Sequence, residues 1–254
     1  MVGQGTTLLT RPPAARYLWP SPTPSRAISF EILVWAPVLL FSIVAHEYAH
    51  AEAAYRQGDD TAYMLGRLTL NPVKHIDPFM TVLLPLLLWL SHAGFLFGGA
   101  KPVPVNPRKY RNYVRGDVIV SLAGIATNLA LFVIAAVLFA AFGLLASVVP
   151  TLTGSLEILQ RMMAYGMQWN LVLAFFNLIP LPPLDGSHVF YHLLPPGAGM
   201  KYRQLYALGM VPLFLVIWLA PALLTPFLWP VRQLLALGWA LVGGYALPGS
   251  QLTL

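Results

Sequence analysis

The sequence predicts an all-α integral membrane protein, a polytopic helical bundle of about five to six spans. Three observations carry this expectation. Hydrophobic residues make up 57% of the 254 positions, charged residues only 9%, and the long apolar segments lack period-two alternation. A soluble domain carries roughly a quarter charged residues, so a mean hydropathy of +0.68 belongs to a chain whose surface faces lipid. Backbone polar groups in lipid must bond internally, which leaves helices or closed barrels, and the absent alternation excludes the barrel.

The elements follow in order. Residues 1–27 hold five prolines and three arginines without a long apolar core, and read as a disordered or interfacial N-terminal arm. Residues 28–254 form the membrane-embedded domain. Apolar segments run over 28–55, 79–98, 118–149, 163–184, 205–224 and 227–247, each near the roughly 20 residues a crossing helix needs. The segment 79–98 is the weakest span. Pro85 interrupts it, and Gly94, Gly98, Gly99, Pro102, Pro104 and Pro107 follow, so a re-entrant hairpin is expected there. Phe95-Leu96-Phe97 and Val103-Pro104-Val105 read as extended, because a residue before proline is pushed out of the α region.

The net charge of +6 is spread singly or in short groups between apolar segments, which fits anionic headgroups of a lipid bilayer rather than nucleic acid. The chain contains no cysteine, so disulfides, iron–sulfur clusters and thiolate zinc sites are excluded and any metal must use His, Asp, Glu, Asn or backbone oxygen.

Two features stand out within this apolar background. The first is His46-Glu47-Tyr48-Ala49-His50 in the first apolar segment. Histidines four apart share one helix face, so both imidazoles can reach one tetrahedral zinc, with Glu47 beside them as general base. Charged groups at the centre of a membrane helix cost about 2.5–3.5 kcal/mol on insertion scales, so a function or partner is expected for them. The bland alternative is that the helix ends near His46 and these residues are interfacial. A third ligand must come from elsewhere, from His75, Asp77, His92, Asp185, His188 or His192. Asp185 is the strongest of these. It closes Asn177-Leu178-Ile179-Pro180-Leu181-Pro182-Pro183-Leu184-Asp185-Gly186, where prolines break a helix at membrane depth and require a protein-lined or watery cavity. Its alternative is a turn or cap residue ahead of Gly186.

On these residues the sequence resembles the site-2 protease family of intramembrane zinc metalloproteases. The H-E-x-x-H helix matches His46 to His50, the L-D-G zinc motif matches Leu184-Asp185-Gly186, and the family's preceding asparagine matches Asn177. Two further stretches, Gly58 to Ala62 running into Gly66 to Pro78, and Ala100 to Pro107, fit a compact bacterial branch. The family's A-G-P-x-x-N appears as Ala123-Gly124-Ile125-Ala126-Thr127-Asn128, with isoleucine for proline. No inserted domain separates the two metal motifs and none follows the last apolar segment, so PDZ and CBS appendages are expected to be absent. The resemblance implies one Zn2+ per chain on His46, His50 and Asp185, Glu47 as general base, and Asn177 bonding substrate backbone or the developing oxyanion. It also implies transmembrane protein or peptide segments as substrates.

Topology adds an independent constraint. If every apolar segment spanned, the first and fourth would run in opposite directions and Asp185 would miss the histidines. A re-entrant 79–98 restores parity. Ten of the 15 Lys and Arg residues then share the side of the candidate site, which makes that side cytoplasmic; the cell (inner) membrane is the expected location. His75 and Asp77 are expected to be structural or to support a ligand histidine, and His188 and His192 to mark an interfacial helix end. The alternative from another class is a non-proteolytic zinc-binding membrane protein or transporter, against which Glu47 discriminates.

Overall fold

A computed structural model describes residues 27–90 and 98–250. The N-terminal arm, His92 and Phe95-Leu96-Phe97 lie outside the described residues. Among these residues the regular structure is entirely helical: α1 (Ala27–Gln57), α2 (Thr61–Met64), α3 (Leu84–Leu90), α4 (Tyr113–Val148), α5 (Thr153–Asn177), α6 (Asp185–Leu193), α7 (Pro196–Arg203), α8 (Val211–Leu219) and α9 (Thr225–Val242), with short 3-10 turns and a π-helical stretch, Pro78–Leu83, between them.

Among the described residues, two helices are long and apolar enough to cross a membrane, Glu31–Gln57 within α1 and Tyr113–Val148, and the pair Pro196–Leu208 and Val211–Leu219, bent by 89°, would make a third. The other apolar runs fold as helices that are shorter or carry more polar residues, within an all-helical bundle consistent with a membrane protein. The first half of the 25-residue α5 carries Glu157, Gln160 and Arg161, and prolines and turns divide residues 205–224 into shorter pieces. Leu33, Phe41, Val133, Val137 and Leu144 are exposed along α1 and α4, as lipid-facing side chains are.

Contacts fix the helix directions. Ser42, Val38 and Glu31 of α1 meet Asn170, Gly166 and Tyr165 of α5, so these helices run parallel. His50, His46 and Val38 meet Val120, Asn128 and, through Gly166, Ala135, so α4 runs antiparallel to both. Parallel α1 and α5 bring the end of α5 to the histidine end of α1, which the parity argument requires. The core lies between α4, α5 and α9, around Phe139, Met167, Leu171 and Leu235.

The segment after α2 leaves and returns at one place. Asp77 caps the turn at Pro78 by accepting from the Phe79 and Met80 amides. The chain comes back at Gly99, whose N–H reaches the Met80 carbonyl at 3.1 Å and whose carbonyl accepts from Thr81 Oγ1 at 2.6 Å. Both ends of the expected hairpin therefore sit side by side. The residues from Gly98 to Asn106 carry no regular structure, so Val103-Pro104-Val105 is not helical, and Asn106 that follows has extended backbone.

Candidate metal centre

His46 and His50 lie on one face of α1, a turn apart. The sequence stays helical through both, beyond the Pro37 inside the helix and as far as Gln57, so the helix does not end near His46. Asp185 opens α6 directly after the proline-broken loop, and its carboxylate turns to the histidines instead of capping its own helix. His46 Nε2 lies 2.9 Å from His50 Nε2, and Asp185 Oδ2 lies 3.1 and 3.2 Å from them. Zinc bonds of about 2.0–2.1 Å in a tetrahedron require donor atoms about 3.3–3.4 Å apart, so these three atoms outline one tetrahedral face of zinc size. They are the group of three among the described residues whose donor atoms converge in this way.

The remaining ring nitrogens are held as metal-binding imidazoles require. His50 Nδ1 donates to the Val120 carbonyl at 2.7 Å, and His46 Nδ1 to Asn128 Oδ1 at 2.5 Å. Each bond leaves an Nε2 lone pair facing the common point. Both rings and Asn128 are buried. Gly124 closes the floor. A Cβ built there would stand 2.5 Å from His46 Cε1 and 2.6 Å from both Nε2 atoms, so only glycine lets α4 approach the donors. Gly186 has a comparable reason, because a Cβ would enter the Leu178 carbonyl at the end of α5. Ile125, in place of the family's proline, is buried in a continuous α4.

Glu47 projects beside the donors, and its Oε2 accepts the Val103 N–H at 2.8 Å. That bond ties the non-helical 98–106 segment to the acid. Arg67 donates to the Lys101 carbonyl at 2.9 Å, and the fully buried Asp59 accepts the Asn106 N–H at 2.5 Å as well as the Thr61 amide and hydroxyl. Lys109 holds the Asp60 carboxyl below its usual range from outside this platform. The first stretch singled out in sequence, Gly58 to Ala62 running into Gly66 to Pro78, therefore supplies the groups that seat the second, Ala100 to Pro107.

Other sequence candidates fall elsewhere. His75 is buried and bonds the Thr69 carbonyl at 2.8 Å, while Asp77 serves as the cap described above, so both are structural. The Asn177 amide nitrogen donates to the Leu173 carbonyl at 2.9 Å, one turn back on α5. His188 and His192 are more than an interfacial helix end. They face buried Asp117 of α4, whose Oδ2 lies 2.7 Å from His192 Nε2 and 3.5 Å from His188 Nδ1. This pins α6, and with it Asp185, to α4. Sequence reasoning missed Asp117, which sits at the start of an apolar run where an interfacial carboxylate draws no notice.

An all-helical membrane bundle enclosing a His-His-Asp donor set with an adjacent glutamate defines a membrane-embedded metallopeptidase. The profile of Peptidase family M50 matches residues 34–219, and the chain belongs to that family. It is 43% identical over 196 residues to "Putative zinc metalloprotease YwhC" of Bacillus subtilis, covering 76% of this chain and 83% of the relative. It is 32% identical over 184 residues to "Putative zinc metalloprotease Rip2" of Mycobacterium tuberculosis strain H37Rv, covering 72% and 66%. Rip2 of Mycolicibacterium smegmatis is 33% identical over 147 residues, or 58% of this chain and 52% of the relative. No solved structure matches. The protein is a zinc metalloprotease of the membrane.

Proposed function

We propose that this protein cleaves peptide bonds within transmembrane segments, using zinc held by His46, His50 and Asp185 near the cytoplasmic leaflet. The observation that carries this is the convergence of the three donor atoms at 2.9–3.2 Å inside the helical bundle, with Glu47 one residue from the first of them. A bound zinc supplies Lewis acidity toward the scissile carbonyl and toward an attacking water. Glu47 takes the proton of that water and returns it to the leaving amine. Asn177, at the end of α5 just before the loop to Asp185, has a second amide hydrogen for substrate backbone or the developing oxyanion.

A helical substrate buries its carbonyls, so it must open locally before it can react. The Val103-Pro104-Val105 stretch lies against Glu47, where an opened strand would pair by strand addition. The N–H groups of Lys101, Val103 and Asn106 are already committed, to His75, Glu47 and Asp59, and prolines 102 and 104 have none. Among the described residues Val105 is left as the donor that this stretch offers an incoming strand.

Two measurements test this reading. In liposomes, single-span reporters containing Gly, Pro or Asn should be cleaved faster than versions with Leu at those positions, since each Gly-to-Leu change restores up to about 1 kcal/mol of helix stability. Folded soluble proteins should survive. Faster cleavage of casein than of any membrane reporter would end the intramembrane reading. For orientation, cysteines placed at 56–77 and 101–116 should both label from the cytoplasmic side, and labelling on opposite faces would overturn the proposed topology.

A further inference from the structure

The two histidine ligands obtain their tautomers in different ways. His50 Nδ1 meets a backbone carbonyl, that of Val120, which can only accept, so this nitrogen must carry the hydrogen. His46 Nδ1 meets a carboxamide, that of Asn128, which would donate if turned over. A donated hydrogen there would force the His46 hydrogen onto Nε2 and remove the lone pair facing the metal. Something must therefore fix the direction of the Asn128 amide.

The fixing groups lie deeper in the bundle. Asn128 Nδ2 donates to Asn170 Oδ1 at 2.8 Å, with the Ser42 carbonyl at 3.5 Å as a longer second acceptor. Asn170 Nδ2 donates to the Gly166 carbonyl and to Ser42 Oγ, both at 2.9 Å, and Ser42 Oγ spends its own hydrogen on the Val38 carbonyl at 2.9 Å. The Gly166 and Val38 carbonyls cannot donate. Read outward from them, each orientation is determined: Asn170 turns its nitrogen to Gly166 and its oxygen to Asn128, and Asn128 turns its nitrogen to Asn170 and its oxygen to His46. His46, Asn128, Asn170 and Ser42 are all buried at 6% exposure or less, so water does not compete for these bonds.

We infer that Asn170 is a positioning residue for the metal centre: through Asn128 it transmits the polarity of the Gly166 carbonyl to His46, keeping the hydrogen on Nδ1 and Nε2 free for zinc. This rests on the reading of His46 as a ligand. It is a role for α5 in metal binding separate from Asn177, and it makes the buried polar contacts among α1, α4 and α5 directional rather than merely cohesive.

The experiment is zinc affinity of the full-length chain in detergent, read by competition with a chelator, for wild type, His46→Ala, Asn170→Leu, Asn128→Asp and Asn128→Asp/Asn170→Leu. Asn170→Leu should weaken zinc about 10–100-fold, the range for lost outer-shell partners. Asn128→Asp presents an accepting oxygen whichever way it turns, so the double variant should return to the affinity of Asn128→Asp alone. A packing defect would not be rescued in this way, and a double variant as weak as Asn170→Leu would overturn the inference, as would wild-type affinity in Asn170→Leu. Undiminished zinc in His46→Ala would instead refute the ligand reading itself. Should Asn170→Leu fail to fold, nitrogen-15 spectra of histidine-labelled, metal-free wild type still decide: His46 Nδ1 must carry a hydrogen, and a bare Nδ1 contradicts the relay.

Discussion

Replacing Gly124 by alanine is expected to strip zinc and cleavage together, although Gly124 is neither ligand nor base. The added Cβ would arrive 2.6 Å from both Nε2 donors, a distance that real side chains do not tolerate. Neither ring can retreat without breaking its Nδ1 bond, to Asn128 in one case and to the Val120 carbonyl in the other. Asp185 occupies the approach from α6. The strain must therefore open the donor triangle or push α4 away from α1, at the about 1–3 kcal/mol typical of overpacking. The loss in metal affinity should reach or exceed the roughly 100-fold seen for the most damaging changes around metal ligands. Chelator competition on the purified variant measures it. Wild-type affinity would mean that α4 does not form the floor of the centre.

Glu47→Gln should give the opposite pattern, full zinc with cleavage reduced about 10²–10⁴-fold, the contribution typical of a general base. The substitution is narrow because glutamine keeps an oxygen able to accept the Val103 N–H, so the 98–106 segment stays seated and only proton acceptance is lost. Single-turnover cleavage of a reporter in liposomes, with zinc content determined on the same sample, separates the two effects. Cleavage within about tenfold of wild type would assign the proton to another group, since a base contributes at least about 10²-fold.

The site was legible in the sequence where chemistry imposes spacing. Two histidines four apart, a glutamate between them, and an aspartate at a proline-broken helix end are statements about geometry as much as composition, and the structure brings those donors together. The direction of α5 relative to α1 was legible from parity once Asp185 was taken as a ligand and 79–98 as re-entrant. The supporting residues were not. Asn128 was recognisable only as a motif position, while Asn170 and Asp117 are single polar residues in apolar helices, and nothing local says which neighbour they will meet 42 or 75 positions away. Which apolar runs face lipid and which pack inside the bundle was not legible, for a related reason. Apolar runs measure burial in lipid or in protein alike, and α9 packs its residues Val231 and Leu235 into the helical core against α4 and α5.

The central claim is that His46, His50 and Asp185 jointly hold the metal, and the most direct test is zinc per chain in detergent-purified wild type and in the three single alanine variants. Three protein donors with one open position are what a catalytic zinc requires, and two leave the shell incomplete. The wild type should carry about one zinc per chain and each variant close to none. Undiminished zinc in Asp185→Ala would contradict the account, because the loop after α5 would then play no part in the centre that its carboxylate faces at 3.1 and 3.2 Å.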